Sequence, residues 1–162
     1  MHIIVMGVSG VGKTAVGKGI ATALSLRFDD ADDFHPLCNV EKMKSGQALE
    51  DADRWPWLEL LNTHLKQSRG CVLACSALKQ SYRQVLCDGI EDVKLVYLKA
   101  DRDTLIQRMQ QREHFMPVSL LDSQLATWEA PRDVPGFAPV ITIDATLPLD
   151  EVINQSLAAL AK

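Results

Sequence analysis

A glycine-rich segment near the start of the chain carries the clearest chemical signal in the sequence. It follows a short apolar run at residues 3–6 and precedes a helical pattern. It fits the pattern G-x-x-x-x-G-K-[ST] and consists of Gly7, Val8, Ser9, Gly10, Val11, Gly12, Lys13 and Thr14. In such a loop the backbone N–H groups surround a phosphate, the lysine reaches the β- and γ-phosphates, and the hydroxyl can bind Mg²⁺. The segment therefore predicts a nucleoside triphosphate site with Mg²⁺; a turn that merely caps a helix is the alternative.

A dense acidic segment follows the second predicted strand. Residues 29, 30, 32 and 33 are all aspartates, and carboxylates this close together repel one another. Asp30 and Asp32 point the same way if the backbone is still extended there. One such carboxylate can hold water around Mg²⁺ while another accepts the proton of a substrate hydroxyl. We therefore expect a catalytic segment here, with a solvated acidic loop as the alternative.

Two groups of cations occupy positions suited to binding an anionic substrate. Arg54 lies at the start of a predicted helix, and a guanidinium can hold a carboxylate through two hydrogen bonds. Lys79 and Arg83 follow the third strand and Ser76, and their spacing of four residues places them on one helix face. They have no acidic neighbours in the sequence, which indicates an anion between them. The alternatives are a surface salt bridge at Arg54 and a solvated helix face at Lys79 and Arg83.

Arg108 and Arg112 repeat the spacing of four residues just before residues 113–117, where Pro117 breaks the helix. Arginines on a mobile flap suit the oxygens of a transferring phosphoryl group, and a closing flap excludes water. A plain surface helix is the alternative. Two of the histidines, His35 and His114, lie beside these chemical segments, whereas His2 and His64 have no such context and are interpreted as structural or exposed.

The elements that position these residues alternate between strand and helix. Short apolar runs predict strands at residues 3–6, 71–75, 93–98 and 140–143, and a second short strand is expected to end at Arg27 and Phe28. Patterns with helical periodicity begin at Lys13, at residue 51, after an N-cap at Asp101, and near Pro148. Alternating buried strands and amphipathic helices predict an α/β fold with a parallel sheet covered on both faces. Ligands of such sheets bind beyond the carboxyl ends of the strands, where the chemical segments fall.

Length and composition exclude several other classes of protein. The chain has 162 residues, 47% of them hydrophobic and 23% charged, with a net charge of −4, which predicts one globular domain. It has no basic cluster for nucleic acid and no apolar run long enough for a membrane span, and residues 1–6 are not expected to act as a signal peptide. The four cysteines lack the spacing of a disulfide framework or a zinc pair, so we expect reduced thiols in a cytoplasmic protein.

Within the nucleotide-binding classes, the sequence favours a small-molecule kinase. A GTPase would need a guanine-reading N-K-x-D segment, which is absent, and a motor-type ATPase would end a strand in aspartate, whereas residues 71–75 run into Ser76. Acidic residues after the second strand, a helical substrate segment and an arginine-bearing lid are typical of small-molecule kinases.

At these same segments the sequence resembles the gluconokinase family of P-loop kinases, related to shikimate and nucleoside monophosphate kinases. The H-P after the acidic segment, C-S-A-L-K-x-x-Y-R and H-F-M-P are specific in combination. The resemblance covers nearly the whole chain through residues 6–14, 30–36, 39–43, 45–46, 53–58, 75–83, 112–117, 120–125 and 129–131. The chain departs from the family pattern at Ala31, Glu113 and Leu125. These differences would affect substrate affinity and lid motion more than the reaction, because none removes a proposed catalytic group.

The resemblance implies a three-layer α/β/α P-loop kinase fold with a five-stranded parallel sheet and a helical lid. Residues 1–162 would form one domain, with a substrate-binding helical segment at about 37–66 and a lid at about 110–135. The implied reaction is ATP- and Mg²⁺-dependent phosphorylation of D-gluconate at its terminal hydroxyl, giving 6-phospho-D-gluconate. A homodimer is plausible from the family. The alternatives are a related kinase for shikimate or a nucleotide, and a non-catalytic ATP-binding regulatory module.

The resemblance also implies a role for each candidate residue. The catalytic residues would be Lys13, Asp32, Arg108 and Arg112. ATP would be bound by residues 7–14 and by Arg108. Thr14 and Asp30 would hold the metal. Adenine would pack around residues 144–148. Gluconate would contact Asp32, His35, Arg54, Ser76, Lys79, Arg83 and His114, with Lys79 and Arg83 interchangeable as ligands of its carboxylate.

Overall fold

The computed structural model describes residues 1–111 and 118–162, in which strands and helices alternate. The strands are β1 (His2–Met6), β2 (Arg27–Asp30), β3 (Cys71–Ala74), β4 (Val93–Lys99) and β5 (Val140–Asp144). The helices are α1 (Lys13–Leu24), α2 (Leu37–Lys44), α3 (Asp51–Gln67), α4 (Gln80–Cys87), α5 (Arg102–Gln110), α6 (Val118–Thr127) and α7 (Leu149–Leu160). A single 3-10 turn over Ala31–Phe34 follows β2. Among the described residues, no helix is long and apolar enough to span a membrane.

The five strands form one parallel sheet in the order β2-β3-β1-β4-β5. In the centre, His2 pairs with Cys71 of β3 on one side and with Val93 of β4 on the other. Every residue of β1 and β3 is buried, as expected when helices cover both faces of a sheet. The predicted parallel sheet and its five strands are confirmed. The two edge strands are not buried as expected, because no residue of β2 and only Ile143 of β5 is buried.

Helices cover the sheet on both sides. Helix α1 packs against α7 on one face, and α3 packs against α4 on the other. The first contact is close because Gly19 lacks a side chain: a Cβ there would lie 2.4 Å from Cδ1 of Ile153. The apolar side chains that α3 buries are Trp57, Leu58, Leu61 and Leu65.

The parallel arrangement brings the carboxyl ends of the strands to one edge of the sheet. The glycine-rich loop leaves β1 at this edge, the aspartate segment leaves β2, and Ser76 follows β3. Asp101 follows β4, and its carboxylate accepts a hydrogen bond from the backbone N–H of Thr104 at 3.2 Å, which confirms the predicted N-cap. The candidate residues from distant parts of the sequence therefore meet at one edge.

Candidate active site

The glycine-rich loop adopts a backbone conformation that depends on glycine. Gly7 has a φ of 146°, and a Cβ at this position would lie 2.8 Å from the carbonyl oxygen of Leu98. Gly12, the N-cap of α1, has a φ of 97°, in the region that L side chains rarely adopt. The loop therefore leads directly into the amino terminus of α1, whose N–H groups and dipole favour an anion.

Lys13 lies across this loop. Its Nζ donates hydrogen bonds to the carbonyl oxygens of Gly7 at 3.0 Å and Val8 at 3.1 Å. On the other side, the backbone N–H of Ser9 donates to Oε1 of Gln124 from α6 at 2.9 Å. Sequence reasoning assigned no role to Gln124, because the contact joins residues 115 positions apart.

Thr14 and Asp30 bring two oxygen ligands together. The hydroxyl of Thr14 donates to Oδ2 of Asp30 at 3.0 Å, and Oδ1 of Asp30 accepts from the backbone N–H of Asp32 at 3.0 Å. A hydroxyl and a carboxylate are hard oxygen donors, the kind that Mg²⁺ prefers. The pair predicted from the sequence as metal ligands is therefore adjacent and of suitable chemistry.

Asp32 projects into the same cleft from the 3-10 turn after β2. Desolvation by the surrounding cleft, followed by repulsion from Asp30 and Asp33, raises its pKa, while the charge of Lys13 acts in the opposite direction. Water still reaches 77% of the side chain, so solvent screening limits the size of this shift. The carboxylate is accessible to a substrate, and a raised pKa makes it a stronger proton acceptor when it is ionised.

His35 is held between an aromatic ring and an amide. Its side chain is only 3% exposed, and its ring stacks on Trp57 with 4.1 Å between centroids. Nδ2 of Asn39 lies 3.2 Å from Nδ1 of His35 and also donates to the carbonyl oxygen of Asp53 at 2.9 Å. Because an amide nitrogen only donates, Nδ1 accepts and Nε2 carries the hydrogen. That Nε2 lies 3.8 Å from Oδ1 of Asp32.

The environment of His35 keeps its imidazole neutral. Burial, and then the charge of Arg54, lowers its pKa from 6.5 to about 4. Sequence reasoning placed His35 at the site but missed Asn39, although the spacing of four residues between them is a signal for this contact. The structure thus supplies a neutral N–H donor beside the carboxylate of Asp32.

The depressed pKa of His35 predicts a specific loss of stability in acid. Between pH 7.5 and pH 5 the unfolded chain protonates His35 and the folded chain does not, because the folded pKa is about 4. Acid therefore favours the unfolded state, and we expect His35 to lower the free energy of unfolding by about 2 kcal/mol over this interval. Urea denaturation at both pH values should show that the free energy of unfolding falls less for His35→Gln than for the wild type. An equal fall in the two proteins would contradict the prediction.

A hydrogen-bonded network positions Arg54 at the cleft. Its Nη1 donates to the hydroxyl of Tyr82 at 2.9 Å, and that hydroxyl donates in turn to Asp51. Hydrogen bonding from Tyr82 holds the pKa of Asp51 below its usual range, so the carboxylate stays ionised. Lys79, the N-cap of α4, lies 3.2 Å from the same carboxylate. The expectation that Lys79 lacks an acidic partner is wrong, because α3 brings Asp51 to it from 28 residues away.

Arg83 does not reach the cleft, contrary to the sequence-based expectation. It is fully buried, and its guanidinium donates to the carbonyl oxygens of Ala77 at 2.9 Å, Leu78 at 3.2 Å and Glu129 at 2.6 Å. It also lies 4.7 Å from the ring centroid of Trp128. Since backbone carbonyls occupy its donors, Arg83 anchors the segment after α6 rather than offering a charge to a substrate. Lys79 and Arg83 are therefore not interchangeable.

Arg108 bridges two loops at the edge of the site. Its guanidinium donates to the carbonyl oxygens of Val11 at 3.4 Å and Ala145 at 2.5 Å. It therefore joins the glycine-rich loop to residues 144–148. Arg112 and His114 lie outside the described residues.

Most of the candidate residues line one cleft of about 650 Å³, a volume typical of small-molecule sites. Among the described candidates, Lys79, Arg83 and Arg108 lie outside this lining. Ser76 contributes to its wall, and α2, α3 and α6 close its sides. The candidate residues that line it are Ser9, Gly10, Gly12, Lys13, Thr14, Asp30, Asp32, His35, Arg54 and Ser76. The cleft thus places an anion-binding loop, two carboxylates and a guanidinium around a common space.

Comparison with known proteins gives similarity over nearly the whole chain. The model of the shikimate kinase family matches residues 9–157. Gluconokinase of Gluconobacter oxydans is 47% identical over 158 residues, covering 94% of this chain and 87% of that protein. Thermosensitive gluconokinase of Escherichia coli is 46% identical over 134 residues, covering 80% and 72%. The crystal structure of a gluconokinase from Sinorhizobium meliloti has a TM-score of 0.90 at 42% identity, covering 99% of this chain and 91% of that one.

Proposed function

The chain belongs to the gluconokinase family, within the wider shikimate kinase family, and we propose that its cleft transfers the γ-phosphoryl group of ATP to the terminal hydroxyl of D-gluconate. The products are 6-phospho-D-gluconate and ADP. The observation that carries this proposal is the meeting of the glycine-rich loop, the Asp30 and Asp32 carboxylates and Arg54 in one cleft. A phosphoryl donor, a hydroxyl acceptor and an anionic substrate each need one of these groups.

The loop and its neighbours hold the nucleotide in this proposal. Backbone N–H groups of residues 7–14 surround the phosphates, and Lys13 exchanges its carbonyl contacts for the β- and γ-phosphates. Arg108, already against the loop, neutralises charge on the transferring group together with Arg112. Adenine packs near residues 144–148, the segment whose Ala145 carbonyl Arg108 contacts.

The Thr14 hydroxyl and, through bound water, Asp30 would hold Mg²⁺, which would neutralise negative charge on the phosphates. Asp32 accepts the proton of the attacking hydroxyl. The Nε2–H of His35 donates a hydrogen bond to the same substrate oxygen, orienting it toward Asp32. This division assigns one carboxylate to the metal and the other to the acceptor, which their different hydrogen bonds support.

The carboxylate of gluconate is held by the cationic wall of the cleft. Arg54 makes the main contact, and Lys79 contributes charge from its ion pair with Asp51. Ser76 and His114 supply further hydrogen bonds to the sugar acid. Residues 37–66 form the substrate-binding segment and residues 110–135 the lid that excludes water from the transfer.

Substrate-dependent ADP release tests this function directly. The purified chain with ATP and Mg²⁺ is assayed against D-gluconate, other aldonates, shikimate and nucleoside monophosphates, and 6-phospho-D-gluconate is measured as product. We expect turnover with D-gluconate. Preferred turnover of shikimate or a nucleotide would assign the chain to a related kinase, and ATP binding without substrate-dependent release would make it a regulatory module.

Removing the guanidinium of Arg54 should weaken gluconate binding specifically. A charged hydrogen bond to a carboxylate contributes about 1.5–3 kcal/mol, so Arg54→Ala should raise the KM for gluconate by about tenfold or more. The KM for ATP should stay near the wild-type value, because Arg54 lies on the substrate wall. Steady-state kinetics with each substrate varied in turn measure both constants.

Two further variants test this assignment. Tyr82→Phe removes the hydroxyl that positions Arg54 at 2.9 Å, so it should move the KM for gluconate in the same direction by a smaller factor. Arg69→Ala removes an exposed arginine outside the cleft lining and should leave both constants unchanged. An Arg54→Ala enzyme with an unaltered KM for gluconate would remove Arg54 from the substrate pocket.

A further inference from the structure

A second group of side chains with metal-binding chemistry lies outside the cleft. It consists of Asp29 of β2, His64 of α3 and Cys71 of β3, here called the Asp29 cluster. Arg27 pairs with Cys71 and Asp29 with Leu73 in the parallel ladder, so Asp29 and Cys71 lie on the same face of adjacent strands. Asp29 also faces the opposite side of β2 from its neighbour Asp30. The cluster is therefore separate from the proposed Mg²⁺ ligands.

The three donor atoms converge on a small volume. Oδ2 of Asp29 lies 2.8 Å from Nε2 of His64 and 3.3 Å from Sγ of Cys71. All three atoms lie within 4.8 Å of one another. The Asp29 and His64 side chains are 13% and 20% exposed, whereas Cys71 is fully buried. The site is thus lined by protein on the sulfur side and open to solvent on the other.

We propose that the Asp29 cluster binds a divalent transition-metal ion of the zinc type, with Asp29, His64 and Cys71 as three ligands and water as the fourth. A mixed set of carboxylate, imidazole and thiolate suits Zn²⁺ or Co²⁺, whereas Mg²⁺ prefers oxygen ligands alone. The ligands come from β2, α3 and β3, so the ion links Asp29 to residues 35 and 42 positions later in the chain and stabilises the folded state.

Three groups must change when the ion binds. A carboxylate only accepts, so Nε2 of His64 carries the hydrogen that it shares with Oδ2 of Asp29 in the metal-free protein. That hydrogen must move to Nδ1, by exchange with solvent, before Nε2 can coordinate the ion. Arg27 places its Nε 2.9 Å from Oδ2 of Asp29 and competes for that oxygen, but its side chain is 62% exposed and can turn into solvent. The thiol of Cys71 donates its hydrogen to Asp29 in the metal-free protein. Metal binding therefore forms a metal–sulfur bond and releases this proton to solvent.

Cobalt titration of the full chain tests the site. The protein is freed of metal with a chelator, kept in a non-thiol reductant and titrated with Co²⁺. We expect sulfur-to-cobalt charge-transfer absorption in the near ultraviolet, together with the visible bands of a four-coordinate site. Cys71→Ser should abolish the charge-transfer absorption, and both Cys71→Ser and His64→Gln should weaken Co²⁺ binding by at least about tenfold. Cys38→Ser, which removes an exposed thiol, is the matched control and should leave the spectrum unchanged.

Arg27→Gln provides an independent test, because this substitution leaves the three proposed ligands unchanged. If the cluster binds metal, removal of the competing cation should tighten Co²⁺ binding by about tenfold, and Zn²⁺ should raise the Tm of this variant and of the wild type. If the three side chains form only a hydrogen-bonded triad, neither change will occur and the wild type will show no charge-transfer absorption. Absorption that survives in Cys71→Ser and is lost in Cys38→Ser would also overturn the proposal.

Discussion

Replacing Lys13 with methionine is expected to lower kcat by about 10³-fold, the cost of removing one electrostatic donor to the transition state in a preorganised site. The ammonium of Lys13 lies 3.0 Å from the Gly7 carbonyl oxygen and 3.1 Å from that of Val8. It is therefore already over the space in which the loop N–H groups would surround phosphates. A 10³-fold loss corresponds to about 4 kcal/mol of transition-state stabilisation. Initial rates with saturating gluconate and ATP measure the change.

The size of this effect must be separated from damage to the loop. Methionine keeps most of the length of the lysine side chain but removes its charge and donors, so a thermal denaturation curve near that of the wild type will show that the fold is intact. Lys66→Met removes a lysine that is exposed on α3 and should leave kcat unchanged. If Lys13→Met still forms phosphorylated product at the wild-type rate, the loop does not act on the transferring phosphate.

The centre of the sheet could be predicted from the sequence because its strands are marked by local composition. The residues of β1 and β3 are all buried, so each strand appears in the sequence as an unbroken apolar run rather than as an alternating pattern. The glycine-rich loop could likewise be recognised from the sequence, because its motif consists of consecutive residues. Where a feature is built from consecutive residues, its place in the fold could be predicted from the sequence.

The partners of the basic residues could not be predicted in the same way. Arg83 was predicted to face an anion, but the carbonyl of Glu129, 46 residues away, receives its shortest hydrogen bond. Lys79 likewise meets Asp51 only after α3 and α4 pack together. Spacing of four residues establishes a shared helix face, but which side chains or carbonyls cover that face depends on tertiary packing.

His35 shows an intermediate case. Its position next to the aspartate segment identified it as a candidate, and its spacing from Asn39 is local. Its neutral state, however, depends on Trp57 and Arg54, which α3 brings against it. The sequence identifies His35 as a candidate, but its protonation state depends on the folded structure around it.

Replacing Asp32 with asparagine is expected to lower kcat by about 10²–10⁴-fold, the usual contribution of a positioned general base. Asparagine has nearly the same shape but cannot accept the proton of the substrate hydroxyl. Asp33→Asn is the matched control, because it makes the same change at the next residue of the same exposed turn and should leave kcat near the wild-type value. Asp30→Asn should instead raise the Mg²⁺ concentration needed for half-maximal rate, which Asp32→Asn should not do.

The pH dependence of the rate gives a second, independent test of Asp32. Its carboxyl must be ionised to accept a proton, so activity should fall as the pH is lowered through its pKa. Desolvation, followed by repulsion from Asp30, raises that pKa, so the acid limb of kcat/KM should lie at a higher pH than the ordinary aspartate value of 3.8. The residual activity of Asp32→Asn should lack this limb, while Asp33→Asn should retain it. An acid limb that persists unchanged in Asp32→Asn, or a larger loss of kcat in Asp33→Asn, would show that another group accepts the proton.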